Sequence, residues 1–270
     1  MTDMNRVIGR HDLLFVTLDT LRYDVAVELV ATGRTPTLAG ALPGGVWQRR
    51  HTPASFTYAA HHAFFAGFLP TPPTPGPHPR LFAARFPGSE TIAPGTWVFD
   101  GPDLISGLAA VGYHTVCVGG VGFFNPGSRL GSVLPGLFAE SHWSPEFGVT
   151  NPDSLPAQLD RIATVVEQAP AGRPLFLFLN ISALHQPNRH YLPGAVRDSR
   201  DSHAAALEYV DRHVGRLFQL ATARGRPCFA IVCSDHGTAY GEDGHSGHRL
   251  AHEVVWTVPY AEFTLHPDGG

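Results

Sequence analysis

Residues 13–24 read LLFVTLDTLRYD, an apolar run closed by an aspartate and a short polar stretch. Leu13–Leu18 has the length and residue types of a strand, which puts Asp19 at a strand's carboxyl end. Four further runs have the same character: His114–Gly119, Leu175–Ile181, Phe229–Cys233 and Val254–Phe263. Between them lie segments with helical spacing or loops rich in proline and glycine. The clearest helix is in Ser202–Arg224, where Leu207, Val210, Val214, Leu217, Phe218 and Ala221 recur at three and four; Ser202 reads as its N-cap and Gly225 lies beyond its end. Asp103–Val111, stopped by Gly112, and Leu155–Gln168, capped by Asp153 or Ser154, read as two more. This alternation predicts an α/β fold with a mixed or largely parallel sheet covered by helices.

The 270 residues suit one large domain better than two. A net charge of -4 with scattered Lys and Arg carries no footprint for nucleic acid or an anionic membrane, which leaves a small molecule or peptide as the expected partner. The first apolar run is far too short for a signal segment or a span. Cys117, Cys228 and Cys233 all sit in or beside strand-like runs, the setting of buried thiols in a reducing compartment, and the cytoplasm is the expected location. Leu69–Pro79 holds six prolines among eleven residues and reads as an extended loop.

In open α/β sheets, ligands collect beyond the carboxyl ends of strands. Asp19 stands there, and so do Asp235 and His236 in FAIVCSDHG. A carboxylate at the end of a buried strand is costly unless compensated, and a divalent cation bound by carboxylate and imidazole compensates it. A helix N-cap, or an ion pair with Arg22, would serve Asp19 as well. A third element is Thr57, which precedes an apparent helix Ala59–Ala66 ending at Gly67. A hydroxyl there gains from the positive helix end as a nucleophile, or acts merely as a cap.

Taken in order, the motifs resemble the alkaline phosphatase superfamily and, within it, the sulfatase-like branch. LDTLRYD resembles the first metal-binding strand end, and TYAAHHAFFAGFLP the nucleophile helix. ISGLAAVGYHTVCVGG, SALHQP, AALEYVDRHVGRLF (with Asp211 and Gly215) and SDHGTAYGEDGHSGHRLAHEVVWTVPY follow in the family's sequence. The resemblance implies a three-layer sandwich with a mostly parallel sheet, in a single domain 1–270 without the C-terminal subdomain of full-length sulfatases. It also implies Asp19, Thr57, Asp235 and His236 as metal ligands, Thr57 as nucleophile, and His185 and His248 as catalytic histidines. Arg22, His61, His245 and His252 become candidate substrate contacts, with Asp24 and His62 beside them.

Several departures from the sulfatase pattern narrow the expected chemistry. A threonine cannot be oxidised to formylglycine; Gly120 and Gly122 replace a lysine and a histidine; His61 replaces an arginine. The segment HQPNRH lacks the acid of a two-metal Asp-x-x-x-His pair. The expectation is one tight Zn²⁺ or Mn²⁺, in preference to Ca²⁺ or Mg²⁺, with a weaker second site open. The expected activity is hydrolysis or transfer at a phosphoester, phosphodiester or phosphonate through phospho-threonine. The alternatives are a sulfate-ester hydrolase without formylglycine and a metal-stabilised binding protein. The pocket would stand open, or be closed by a partner or by Leu69–Arg85 and Phe123–Glu146.

Overall fold

The computed structural model describes residues 2–67 and 103–267, so the expected Leu69–Pro79 and Leu69–Arg85 loops lie outside the described residues. The chain begins with strand β1 (Asp12–Leu18), helices α1 (Tyr23–Ala31) and α2 (Pro36–Ala41), strand β2 (Gln48–His51) and helix α3 (Thr57–Ala66). After the undescribed segment come α4 (Leu104–Ala110), β3 (His114–Val118), β4 (Glu140–His142), α5 (Ser154–Gln168) and β5 (Leu175–Ile181). Then follow α6 (Arg200–Thr222), β6 (Cys228–Cys233), a small hairpin of β7 (Ala239–Tyr240) and β8 (Ser246–Gly247), α7 (Glu253–Trp256) and β9 (Thr257–Leu265).

Seven strands form one sheet in the order β2-β9-β6-β1-β5-β3-β4. The β6-β1-β5-β3-β4 pairings are parallel, and β9 runs antiparallel to β6 and to β2. Every residue of β1 and of β5 is buried, because each strand has a neighbour on both sides and a helical layer on both faces. On one face Leu14, Val16 and Leu18 meet Val25 and Leu29 of α1, Ile162 of α5 and Val210 of α6. On the other face Leu13 and Phe15 join Phe176, Phe178, Tyr58 and Phe65. Burying a side chain of this size fully is worth roughly 1.5–3 kcal/mol, so these two layers are what hold the sheet in place between them. The fold is the expected three-layer α/β sandwich.

Helix boundaries follow local chemistry. α6 begins at Arg200, before the expected start, because Ser199 and Ser202 form a reciprocal capping box: Ser202 N donates to Ser199 Oγ (3.1 Å) and Ser199 N to Ser202 Oγ (2.8 Å). α2 has no side-chain cap of its own, and Asp211 of α6 accepts from Leu38 N at 2.8 Å and Thr37 N at 3.2 Å in its place. Val254–Trp256, expected as strand, belong to a helical turn; His252 caps it, accepting from Val254 N at 3.2 Å, and the strand starts at Thr257. Among the described residues no helix is long and apolar enough to cross a membrane.

Candidate metal centre

Strand register assembles the centre. β1 lies between β5 and β6, and Thr17 pairs with Cys233, so the residues two places on, Asp19 and Asp235, emerge side by side at the same sheet end. The turn after Asp19 is held by Thr20, whose left-handed backbone (φ 65) lets its N donate to Asp235 Oδ1 at 3.1 Å. The Thr20 hydroxyl donates to Leu184 O at 3.1 Å and so ties in the loop that carries His185. Asp235 Oδ1 also accepts from His236 N at 3.0 Å. Asn180 Nδ2 donates to Asp19 Oδ2 at 3.1 Å.

These bonds satisfy one oxygen of each carboxylate and leave the other buried without a partner: Asp19 Oδ1 and Asp235 Oδ2. Both residues are wholly buried. His236 Nδ1 donates to Gly237 O at 2.8 Å, which fixes the tautomer and leaves a lone pair on Nε2. Atoms of Asp19, Asp235 and His236 lie within 4.8 Å of one another. Thr57 Oγ1 is 3.2 Å from His236 Nε2.

The electrostatics of the three residues fit a cation between them. Burial, and then the neighbouring Asp235 charge, push the Asp19 carboxyl up to about 6, and burial pushes Asp235 up to about 7. Burial lowers the pKa of His236. Asp19, Asp235 and His236 together form a donor set suited to zinc or manganese, and the Thr57 hydroxyl stands beside His236 Nε2. Neither bland alternative for Asp19 is realised. It caps no helix, and Arg22 pairs with Asp24 (2.8 Å) and Glu242 instead.

Thr57 is the first residue of α3, whose N-cap Phe56 offers no side-chain acceptor. The hydroxyl faces His236 and a cleft of about 390 Å³ lined by Thr57, Val121, Phe123, Leu130, His185 and His248 among others. His185 and His248 stand together, ring centroids 5.5 Å apart, and His248 is 4.6 Å from His236. His185 Nδ1 donates to Gln186 O at 2.6 Å. His248 Nδ1 is buried without a partner, and burial holds its pKa down to about 3.

Three expected substrate contacts already have partners within the chain. His61 lies beneath the centre, fully buried among Phe64, Phe65, Phe124 and Phe178; its Nδ1 donates to Thr57 O at 2.7 Å and its Nε2 accepts from Thr17 Oγ1 at 2.9 Å. Arg22 is 3 % exposed, with its guanidinium taken up by Asp24 and Glu242. His252 caps α7 and meets Asp243 Oδ2 at 3.1 Å. His245 is exposed, 6.3 Å from the His252 ring. His62 is buried next to Tyr58.

The sequence reading passed over Thr17, Asn180 and Arg249. Asn180 interrupts the apolar run LFLFLNI, and Thr17 interrupts LLFVTL; a buried polar residue in mid-strand is the signal that marks both. Arg249, which also lines the cleft, carries no such mark.

A family model described as Sulfatase matches residues 11–260. No curated protein matches the sequence. Among solved structures, the C-terminal periplasmic domain of phosphoethanolamine transferase EptC from Campylobacter jejuni superposes with a TM-score of 0.65 at 12% identity, covering 95% of this chain and 80% of its own. The corresponding Escherichia coli domain, in complex with Zn, gives 0.64 at 12% identity, covering 95% and 73%. A protein in the alkaline phosphatase superfamily from Vibrio parahaemolyticus gives 0.57 at 15% identity, covering 97% and 61%. At such identity the likeness establishes the fold alone.

Proposed function

The chain belongs to the sulfatase family, within the alkaline phosphatase superfamily of hydrolases and phosphotransferases, and from that membership we propose a metal-dependent hydrolase or transferase of phosphoester, phosphodiester or phosphonate substrates with Thr57 as covalent nucleophile. The observation that carries this reading is the Thr57 hydroxyl 3.2 Å from Nε2 of His236, which clusters with Asp19 and Asp235, two buried carboxylates that each keep a partnerless oxygen. Asp19, Asp235 and His236 would hold the cation, with Thr57 beside it. A divalent cation there supplies positive charge that favours a deprotonated hydroxyl nearby and offsets the charge on a reacting phosphoryl group. The zinc in the Escherichia coli structure favours zinc for this donor set.

In the first half-reaction, Thr57 Oγ1 loses its proton to solvent through the cleft and attacks phosphorus in line with the leaving ester oxygen. The bond from phosphorus to Thr57 forms, the bond to the leaving oxygen breaks, and that oxygen takes a proton from His185. His248, beside His185 in the same cleft, is the second histidine within reach of the ester. In the second half, water or an alcohol attacks the phospho-threonine and gives its proton to His185, the bond from phosphorus to Thr57 breaks, and Thr57 Oγ1 takes a proton back from solvent. A threonine cannot yield formylglycine, which places sulfate esters behind phosphorus centres.

Thr57→Ala should abolish turnover of aryl phosphodiester, phosphomonoester and phosphonate substrates while leaving metal content intact. Wild-type rates in the purified variant would refute the covalent role. The three free, buried cysteines support a reducing compartment, and we place the protein in the cytoplasm; recovery from an envelope fraction of the native cell would overturn that placement.

A further inference from the structure

Arg249 is the sole Lys or Arg lining the cleft beside Thr57 among the described residues, and no Asp or Glu of that set lines it with Arg249. The backbone of Arg249 is left-handed (φ 68), a conformation a non-glycine residue holds at a cost. Two contacts keep it there. Arg249 N donates to Ser55 O at 2.8 Å, two residues before the nucleophile, and the guanidinium carbon stands 5.7 Å from the Phe56 ring centroid. The residue is exposed and makes no ion pair with any described carboxylate, so its charge is unspent. Beyond Thr57, Ser128, His185 and His248, the wall carries an apolar patch of Val121, Phe123, Leu130 and Val149.

We infer that Arg249 is a substrate-binding, specificity-determining residue: it grips an anionic oxygen of the ester while the apolar wall takes a hydrocarbon or aryl substituent. The cleft thereby selects against substrates carrying an ammonium group. An ammonium would meet a like charge at Arg249 and no described carboxylate to pair with, whereas an aryl group would bury its surface against Phe123 and Leu130. The substrate class is an anionic phosphodiester or phosphonate monoester with an apolar second substituent. The inference rests on the reading of Thr57 as nucleophile for turnover, but not for binding.

The test compares phenyl p-nitrophenyl phosphate with 2-aminoethyl p-nitrophenyl phosphate on the metal-loaded protein, following p-nitrophenolate. Wild type should prefer the phenyl ester by about 10-fold or more. Arg249→Asn, which suits the left-handed backbone, should lower kcat/KM for the phenyl ester by about 10- to 100-fold, mainly through KM, and collapse the preference. Arg249→Lys should fall between, keeping charge but losing the planar fork. An Asn variant within twofold of wild type, or a wild type that prefers the aminoethyl ester, overturns the inference. If fully metal-loaded wild type releases p-nitrophenolate from neither ester, the Thr57 reading fails on its own account. Phenylphosphonate binding then decides Arg249: a Kd raised about 10-fold in Arg249→Asn upholds it, and an unchanged Kd overturns it.

Discussion

Asp19 and Asp235 each spend one carboxylate oxygen on hydrogen bonds and keep the other bare in a dry site, so without a cation they resist ionisation. Their folded pKa values, about 6 and about 7, lie above the ordinary 3.8. In the metal-free protein, their contribution to stability is therefore whole below about pH 4 and is lost as pH rises through 6 to 7, because the unfolded chain ionises these groups more readily. Metal-free Asp235→Asn should melt above metal-free wild type at pH 8, with the gap closing toward pH 4; a gap independent of pH would show that the carboxylate is already compensated. His61 acts in the opposite sense. Burial pushes it down to about 3 from 6.5, so its contribution is whole above pH 6.5 and lost as pH falls toward 3. Because it donates to Thr57 O and accepts from Thr17 Oγ1, His61→Phe should destabilise by about 1–3 kcal/mol and should leave KM close to wild type if the residue never touches substrate. A KM rise of an order of magnitude would return His61 to the substrate.

At the level of elements, the centre depends on close backbone approaches that local sequence hardly announces. A Cβ on Gly237 would lie 1.9 Å from Val254 O, pressing the segment after Asp235–His236 into the turn of α7. A Cβ on Gly120 would lie 2.5 Å from Asn180 O and 2.8 Å from Ser182 Cβ, where β3 leaves the sheet beside β5. Both glycines are needed for space, since neither has a positive φ. Gly237→Ala should cost about 1–3 kcal/mol in chemical denaturation and weaken metal binding, since the backbone shift moves His236; unchanged metal affinity would mean the strain relaxes toward α7. Ser199→Ala, which removes half of the α6 capping box, should cost about 1 kcal/mol and leave metal affinity unchanged. The long runs of β1, β3, β5 and β6 and the periodic faces of α5 and α6 were legible, because burial between two layers demands apolar residues at a regular period. β2 (Gln48–His51) was not: all four of its residues are exposed, and only pairing with β9 makes them a strand. β4 is three residues long and likewise depends on its neighbour β3.

For the molecule as a whole, a cation that binds the folded chain alone links metal to stability. At a free metal concentration 100 times Kd, the gain is about 2.7 kcal/mol, roughly 5–10 °C in Tm for a chain of this size, and chelation should remove it. A Tm that chelation does not move, in protein shown by elemental analysis to have held metal, would detach the cation from the folded centre. The helix-covered sheet, the strand ends that carry Asp19 and Asp235, and the hydroxyl near the start of α3 were readable from the sequence alone, because each depends on patterns within a few residues of itself. Which nitrogen of His236 faces Thr57, which partners Arg22 and His61 engage, and how Arg249 comes to flank the nucleophile were decided only by the tertiary structure. Those outcomes depend on partners far apart in the chain, Thr57 with His236, Arg22 with Glu242, Ser55 with Arg249, and a side chain's chemistry follows from the neighbour that reaches it first.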